Sequence, residues 1–342
     1  MPFCIASARP YFSRNARVGR KPPRAALCPF FSLSMPRLSF SGHETFPLRF
    51  SWLKKAVDAV ERDAKVFSAD EALATFGVGK NMVRAIKHWA RATGVIENDS
   101  GERGAVQVTP FGRRLFGAEG ADPFCEDPAT LWVLHWHLCR TAGRSTLWHF
   151  VFGHWRSSSA SGALELDALQ PALRQWLADT HDDTPPAAST LRRDLRCLRA
   201  CYAPDRSERS NLEDVVGCPL ASLGLIQKTG GLYRLRQGHQ TALPADIFAY
   251  VVLDYWRRRA PGSETLALQD LLSERASPGR ILLVDEDQAF ALIEEVEHQA
   301  DAPFVYRDTA GIRQLYLQAD SLDPAAALTR YYEANPELAL AV

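Results

Sequence analysis

No stretch of the sequence approaches eighteen uninterrupted apolar residues. The longest candidate, Ile247 to Trp256, is short and is interrupted by Asp254, so a membrane-spanning helix is not expected. There is no framework of paired cysteines either. Seven cysteines, odd in number and without a repeated close spacing, are spread over 342 residues, which suits reduced thiols in a cytoplasm. A phosphate-cradling Gly-rich loop with a lysine, a nucleophile elbow and a dinucleotide fingerprint are all missing. His43-Glu44 opens a zinc-protease pattern, but Pro47 occupies the position of the second histidine. The one dense acidic run near a strand-like end, Asp285-Glu286-Asp287 after Ile281-Leu282-Leu283-Val284, is better explained as negative charge at the positive end of a helix dipole than as a nuclease metal site. The expectation is a non-enzymatic protein without cofactor or bound metal.

Net charge is absent too, with 40 basic and 40 acidic side chains, but the balance is uneven along the chain. Residues 1–34 hold six basic residues and no acid; residues 35–117 hold 13 basic and 9 acidic; residues 118–342 hold 21 and 31. Arg outnumbers Lys 33 to 7 and alanine is abundant, the bias of a GC-rich genome in which upstream starts are over-called. Residues 1–34 are therefore read as a disordered leader ahead of a start at Met35, with a basic arm or a targeting segment as the alternatives.

Hydrophobic periodicity then sets out the elements. Leu48, Trp52, Leu53, Ala56, Val57 and Val60 share one helical face. Ser68 with Glu71 forms a capping-box pattern opening a second helix to Phe76, and Gly77-Val78-Gly79 supplies a tight turn. A third helix runs from Lys80 to Thr93, burying Met82, Val83, Ile86 and Trp89, with Gly94 placed to end it. Strands around residues 94–97 and 105–109 flank a turn, and Thr109-Pro110 caps a further helix. Helix, helix, turn, helix, hairpin, helix is the winged helix-turn-helix order.

The order recurs more weakly downstream. Helices are expected from Asp127-Pro128, at 146–155, 166–179 and 189–202, with a serine-rich linker at 157–162 and a breaker at 182–186, followed by a hairpin over 223–235. Beyond it come helices at 244–258, 266–273 and 286–298, a second hairpin over 304–317, and a closing helix from Asp323-Pro324. The fold class is mainly α with short β-hairpins, an α+β chain. The division is 35–117 winged helix-turn-helix, 118–242 a helical middle domain with a hairpin, and 243–342 a C-terminal α+β domain, the last two winged-helix-like in element order alone.

Nucleic-acid contact is the strongest physical reading. Lys80, Arg84, Lys87, His88 and Arg91 cover the polar side of the third helix, Asn81 is placed to read a base edge, and Arg103 sits at the wing tip. Winged helices also serve as protein-interaction modules, and an excess of four cations is modest for a DNA binder. His135 and Cys139 share one helical face, as do Cys197 and Cys201. Two such pairs could build a zinc site if brought together, but buried free cysteine is usually a small core residue. His43 and Glu44 are read as hydrogen-bonded ties that clasp the N-terminal segment to the first domain.

Several blocks carry a resemblance. Ser41-Gly42-His43-Glu44-Thr45-Phe46-Pro47-Leu48-Arg49 leads, followed by Glu126-Asp127-Pro128-Ala129-Thr130-Leu131-Trp132, Thr190-Leu191-Arg192-Arg193-Asp194, Glu213-Asp214 with Cys218-Pro219-Leu220, Ser277-Pro278-Gly279-Arg280, and Thr309-Ala310-Gly311-Ile312-Arg313-Gln314-Leu315. Together they resemble the bacterial domain-of-unknown-function family 4007, over nearly all of residues 38–332. The resemblance implies a winged-helix-like protein of a phage-defence or DNA-phosphorothioation locus, commonly near a sulfotransfer enzyme. It implies no catalytic residues. The expected function is a DNA-binding or DNA-recruiting accessory protein whose partners are DNA and proteins of the same locus; an adaptor without DNA contact, a transcriptional regulator of the locus and an enzyme component completed at an interface stay open. A homodimer is compatible with the fold class.

Overall fold

Three helix starts in the computed structural model carry the Thr/Asp-Pro caps that the sequence leads one to expect. Thr109 Oγ1 accepts from the Gly112 amide at 2.9 Å, Asp127 Oδ1 from Ala129 at 2.9 Å, and Asp323 Oδ1 from Ala325 at 3.0 Å, each ahead of a proline that fits the first helical turn. Asp285 Oδ1 likewise accepts from Gln288 at 2.9 Å. The structure describes residues 37–68, 71–156, 162–180, 184–204, 217–318 and 322–336. The leader at 1–34, most of the serine-rich linker, the start of the breaker at 182–183 and Glu213-Asp214 lie outside the described residues.

In chain order the elements are α1 (Trp52–Arg62), α2 (Ala72–Phe76), α3 (Lys80–Ala92), β1 (Ile96–Asn98), β2 (Val106–Val108), α4 (Pro110–Phe116), α5 (Pro128–Cys139), α6 (Thr146–Gly153), α7 (Leu166–Thr180) and α8 (Ala188–Tyr202). A 3-10 turn, Pro219–Leu223, leads to β3 (Ile226–Thr229) and β4 (Leu232–Leu235). Then follow α9 (Ala245–Arg259), β5 (Thr265–Ala267), α10 (Leu268–Ser273), α11 (Pro278–Ile281), α12 (Glu286–Glu297), β6 (Phe304–Thr309), β7 (Ile312–Leu317) and α13 (Pro324–Ala334). All strand pairings are antiparallel: β1 with β2, β3 with β4, and a three-stranded sheet in the order β5, β7, β6. This is an α+β chain.

Four local expectations are corrected. The first helix begins at Trp52 rather than Leu48, because Pro47 and a turn closed by the Trp52 amide on the Arg49 carbonyl precede it; Leu48 is buried all the same. Ser68 does not cap α2: its hydroxyl faces the Gly104 carbonyl at 3.4 Å, and Glu71 holds the N-cap position. Residues 281–284 are not a strand. They close α11 and turn through Leu283 at φ 56°, an apolar run buried as a helix end. Leu266 and Ala267, expected as the start of a helix over 266–273, belong instead to β5, which three residues are too short to announce by alternation, and the helix begins at Leu268.

The core runs as one cluster from Leu48 to Tyr332. At its centre α5 is buried from Ala129 to Cys139, α6 along its whole length, and α9 from Ile247 to Trp256. A helix apolar all round must be enclosed on every side. Its polar atoms must then be paired internally. Trp132 Nε1 donates to the Ala242 carbonyl at 2.8 Å, and Trp136 Nε1 donates to Asp254 Oδ2 at 2.9 Å. Asp254, 1 % exposed, also accepts from Arg140 at 2.7 Å and Arg258 at 3.0 Å. Burial pushes this carboxyl up, but Arg140 and Arg258 outweigh it and hold it below the usual carboxylate range.

Replacing Asp254 strands two guanidinia and an indole in the interior. Asp254→Ala is expected to cost about 3–5 kcal/mol, read as a lower denaturation midpoint. Because the folded pKa is depressed, the contribution of Asp254 is present above the ordinary carboxylate range and is lost as pH falls through the folded value. An Asp254→Ala protein as stable as the parent at neutral pH would refute the assignment.

Candidate nucleic-acid interface

Helix α3 is positioned by its apolar face. Val83, Ala85, Ile86, Trp89 and Ala90 are buried, and Gly77 at φ 65° closes α2 so that α3 can start three residues later. The opposite face is left to Arg84, Lys87 and Arg91. These three, with His88, line a groove of about 470 Å³ whose other walls are Ile96, Glu97 and Asn98 of β1, Ser39 and Gly42 of the N-terminal segment, and Gly143 and Arg144 of the loop between α5 and α6. Lys80 and Asn81 are exposed on the first turn of α3 and Arg103 in the β1–β2 turn; none of the three lines the groove.

Arg144 had no signal in the sequence, being one of two arginines in a short loop between two apolar helices. Burial, then the neighbouring Arg140, pulls its pKa down to about 10, so it stays charged at neutral pH. Its Nη1 is buried and has no hydrogen-bond partner among the described residues. Gly94 admits it: a Cβ there would lie 2.1 Å from Nη1, and the residue has φ 78°. Lys87 is pulled down by burial and then by Arg91, with its Nζ 5.5 Å from the Phe67 ring. Arg84 reaches Glu44 at 3.4 Å, an exposed pair of little energetic weight.

His88 differs from its neighbours on α3. Burial first, then His43 and Arg91, depress it to about 3, so its ring is neutral and adds no charge to the groove. It packs against Gly42, where a Cβ would lie 2.3 Å from His88 Nδ1, and edge-on to His43 and Trp89. Gly42 is therefore a close-approach glycine.

Residues 41–46 form the clasp, and its anchor is on α8. Asp194 accepts from the Ser41 amide at 3.0 and 3.1 Å, from the Ser41 hydroxyl at 3.0 Å, and from His43 Nε2 at 3.1 Å. His43 Nδ1 accepts from the Thr45 amide at 3.0 Å, which places the donor hydrogen on Nε2. Phe46 offers its carbonyl to Trp89 Nε1 at 3.0 Å, and Ser39 exchanges hydrogen bonds with Thr146 of α6 at 2.8 and 3.1 Å. Ser41, Glu44 and Thr45 all have φ between 48 and 71°, a left-handed path that non-glycine residues follow only when surrounding bonds hold them. The clasp thus ties α3, α6 and α8 together.

The buried histidines and cysteines are taken up by contacts within the core, Cys139 Sγ lying 3.7 Å from His135 Nδ1. His135 donates from Nε2 to the Ile281 carbonyl at 2.9 Å and accepts at Nδ1 from the Tyr202 hydroxyl at 2.7 Å. Cys125, Cys139, Cys197, Cys201 and Cys218 are free and buried. Among the described residues no three of His, Cys, Asp or Glu are grouped so as to hold a metal ion. No helix among them is long and apolar enough to cross a membrane.

The chain belongs to the family described as protein of unknown function DUF4007, whose model matches residues 40–332. Among solved structures it is similar to "Magnesium ion-bound SspB crystal structure", with a TM-score of 0.78 and 28 % identity over 87 % of this chain and 89 % of that one. It is similar as well to "SspB crystal structure", with a TM-score of 0.77 and 29 % identity over 87 % and 89 % of the two chains. No curated protein matches it.

Two outcomes are expected here. Asp194→Ala leaves the Ser41 amide and His43 without an acceptor, a loss on the order of 3 kcal/mol accompanied by faster amide exchange over residues 41–46; Asp194→Asn, which keeps one acceptor oxygen, should be milder. Unchanged exchange in Asp194→Ala would show that the carboxylate does not hold the clasp. The second concerns acid. The unfolded chain protonates His88 and His135 near 6.5, whereas the folded values are about 3 and about 4, so the unfolded state binds more protons in that window. Stability is then fully present above about 6.5 and falls as the pH is lowered, by up to about 1.4 kcal/mol per pH unit for each histidine. Denaturant midpoints measured from pH 7 to 4.5 should show that slope, shallower in His88→Asn; a flat profile would contradict it.

Proposed function

We propose that the chain is a non-enzymatic DNA-binding or DNA-recruiting accessory protein of a bacterial DNA-modification and phage-defence system. In this reading residues 35–117 act as a winged helix-turn-helix domain, followed by winged-helix-like units at 118–242 and 243–342. The observation that carries it is the convergence of Arg84, Lys87 and Arg91 with Arg144 around a single groove. Four cations drawn from two separate parts of the chain, one of them with a buried unpaired N–H, form a better receptor for backbone phosphates than a solvated helix face would. The family and the SspB-like fold support a role in DNA phosphorothioation.

Each part of the site has a role in this reading. The groove neutralises phosphates and sets orientation, while exposed Lys80 and Asn81 at the start of α3 approach base edges and Arg103 reaches the backbone from the hairpin. The acid-rich remainder, with 31 acidic against 21 basic residues over 118–342, is the surface for a basic or enzymatic protein of the same locus. Chain pairing into a homodimer is compatible with this arrangement.

The test is the salt dependence of duplex binding by the full chain. Affinity should fall steeply with salt, with a log–log slope near 0.9 for each phosphate engaged. Arg84→Gln with Lys87→Gln should lower that slope by roughly 2. Binding that ignores both salt and these replacements would leave the adaptor reading in place of this one.

A further inference from the structure

A second cationic helix is followed by a hairpin further along the chain. Helix α8 carries Arg192, Arg193, Arg196 and Arg199 within eight residues, and Arg192, Arg196 and Arg199 follow one another at helical spacing. Their division of labour is visible in the contacts. Asp194, between them in sequence, faces inward to hold the clasp, and Leu191, Leu195 and Leu198 are buried. Arg199 is structural: it donates to the Leu164 carbonyl and to Glu165, and lies 4.6 Å from the Tyr233 ring of β4. Arg192, Arg193 and Arg196 are exposed, without an ion pair or hydrogen bond among the described residues.

The neighbourhood reinforces the charge. Arg192 and Arg196 open onto a groove of about 460 Å³ bounded by Glu165, Arg199 and Tyr233, in which Glu165 is the one acid among the described residues and is already paired with Arg199. Lys228 Nζ of β3 lies 5.5 Å from the centroid of the same tyrosine ring, bringing the hairpin's charge to the helix. Holding exposed guanidinia in a row costs self-repulsion, and a row on a well-packed helix keeps its spacing fixed, which suits a polyanion with regularly spaced charges. Guanidinium forks fit phosphate oxygens in pairs, which ammonium groups do not.

We propose that the outward face of α8, formed by Arg192, Arg193 and Arg196, is a second nucleic-acid surface that binds backbone phosphates independently of the α3 groove. It reads no sequence. Its effect is to lengthen the footprint, and because the clasp bonds Asp194 of α8 and packs Gly42 against His88 of α3, both surfaces are carried on one tied framework.

The experiment uses the full chain and a short random-sequence duplex, with affinity followed against NaCl concentration. The triple replacement Arg192→Gln, Arg193→Gln, Arg196→Gln is made in the parent and in the Arg84→Gln, Lys87→Gln background, leaving Asp194 and Arg199 intact; circular dichroism and melting confirm the fold. The expected result is a decrease in log–log slope of about 2 to 3 in both backgrounds, with at least a roughly tenfold loss of affinity at low salt. An unchanged slope and affinity in both backgrounds overturns the second surface, whatever the α3 replacements do. An effect of the triple replacement on binding to polyglutamate, with duplex binding intact, also overturns it and assigns α8 to an acidic protein. If the α3 replacements alone are silent, the α8 surface stands and the groove reading fails.

Discussion

A single buried carboxylate, Asp194, holds together the part of the molecule on which the candidate interface depends. Taking an aspartate out of water is unfavourable unless its oxygens are filled, and here an amide, a hydroxyl and an imidazole fill them from one short segment. That segment follows a left-handed path at three non-glycine positions, which it would not keep if released. Once fixed, it sets the rim of the α3 groove with Ser39 and Gly42 and presses Gly42 against His88. The orientation of α3 relative to α8 thus rests on a bond between residues 153 positions apart.

The consequence for the groove is a separation of charged from neutral side chains along one helix. His88, facing the clasp, is dehydrated and remains neutral, so it packs as an aromatic ring. Arg84 and Arg91, exposed, and Lys87, half-buried, line the groove beside it. Arg144 arrives from the other side because Gly94 leaves room for its guanidinium at the C-terminal end of α3, where the helix dipole favours a cation.

Legibility in the sequence follows the range of the interaction. The apolar faces of α1 and α3, the Thr109, Asp127 and Asp323 caps and the hairpins around Gly230 and Gly311 depend on residues within a few positions, and periodicity and turn chemistry display them. The clasp was legible as a set of ties but not in its anchor, since nothing near Ser41 names Asp194. Arg144 was hidden for the same reason. Residues 281–284 misled because a short apolar run is equally a buried strand or a buried helix end, and only the turn at Leu283 distinguishes them. His88 reads in the sequence as one more polar-face residue because spacing shows which face a side chain occupies and not what is packed over it.

A net charge of zero is therefore a poor guide to what this chain can bind. Charges act over about 8 Å at physiological salt, so a phosphate in the α3 groove responds to what surrounds the groove and very little to acids elsewhere. Among the described residues the nearby acids are Asp254, which acts on Arg144 but is already held by Arg140 and Arg258, Glu97, which takes a hydrogen bond from Gln107 at 3.0 Å, and Glu44, which meets Arg84 in an exposed pair. Opposing them are four cations, two of which have lost part of their hydration and gain correspondingly more from an anion that replaces it. The same local reasoning applies to α8, where the acid of the helix is turned inward and spent on the clasp. Folding the acidic side chain of Thr190-Leu191-Arg192-Arg193-Asp194 into the interior leaves its arginines outside, so the bond that fixes the framework also sets the sign of the surface.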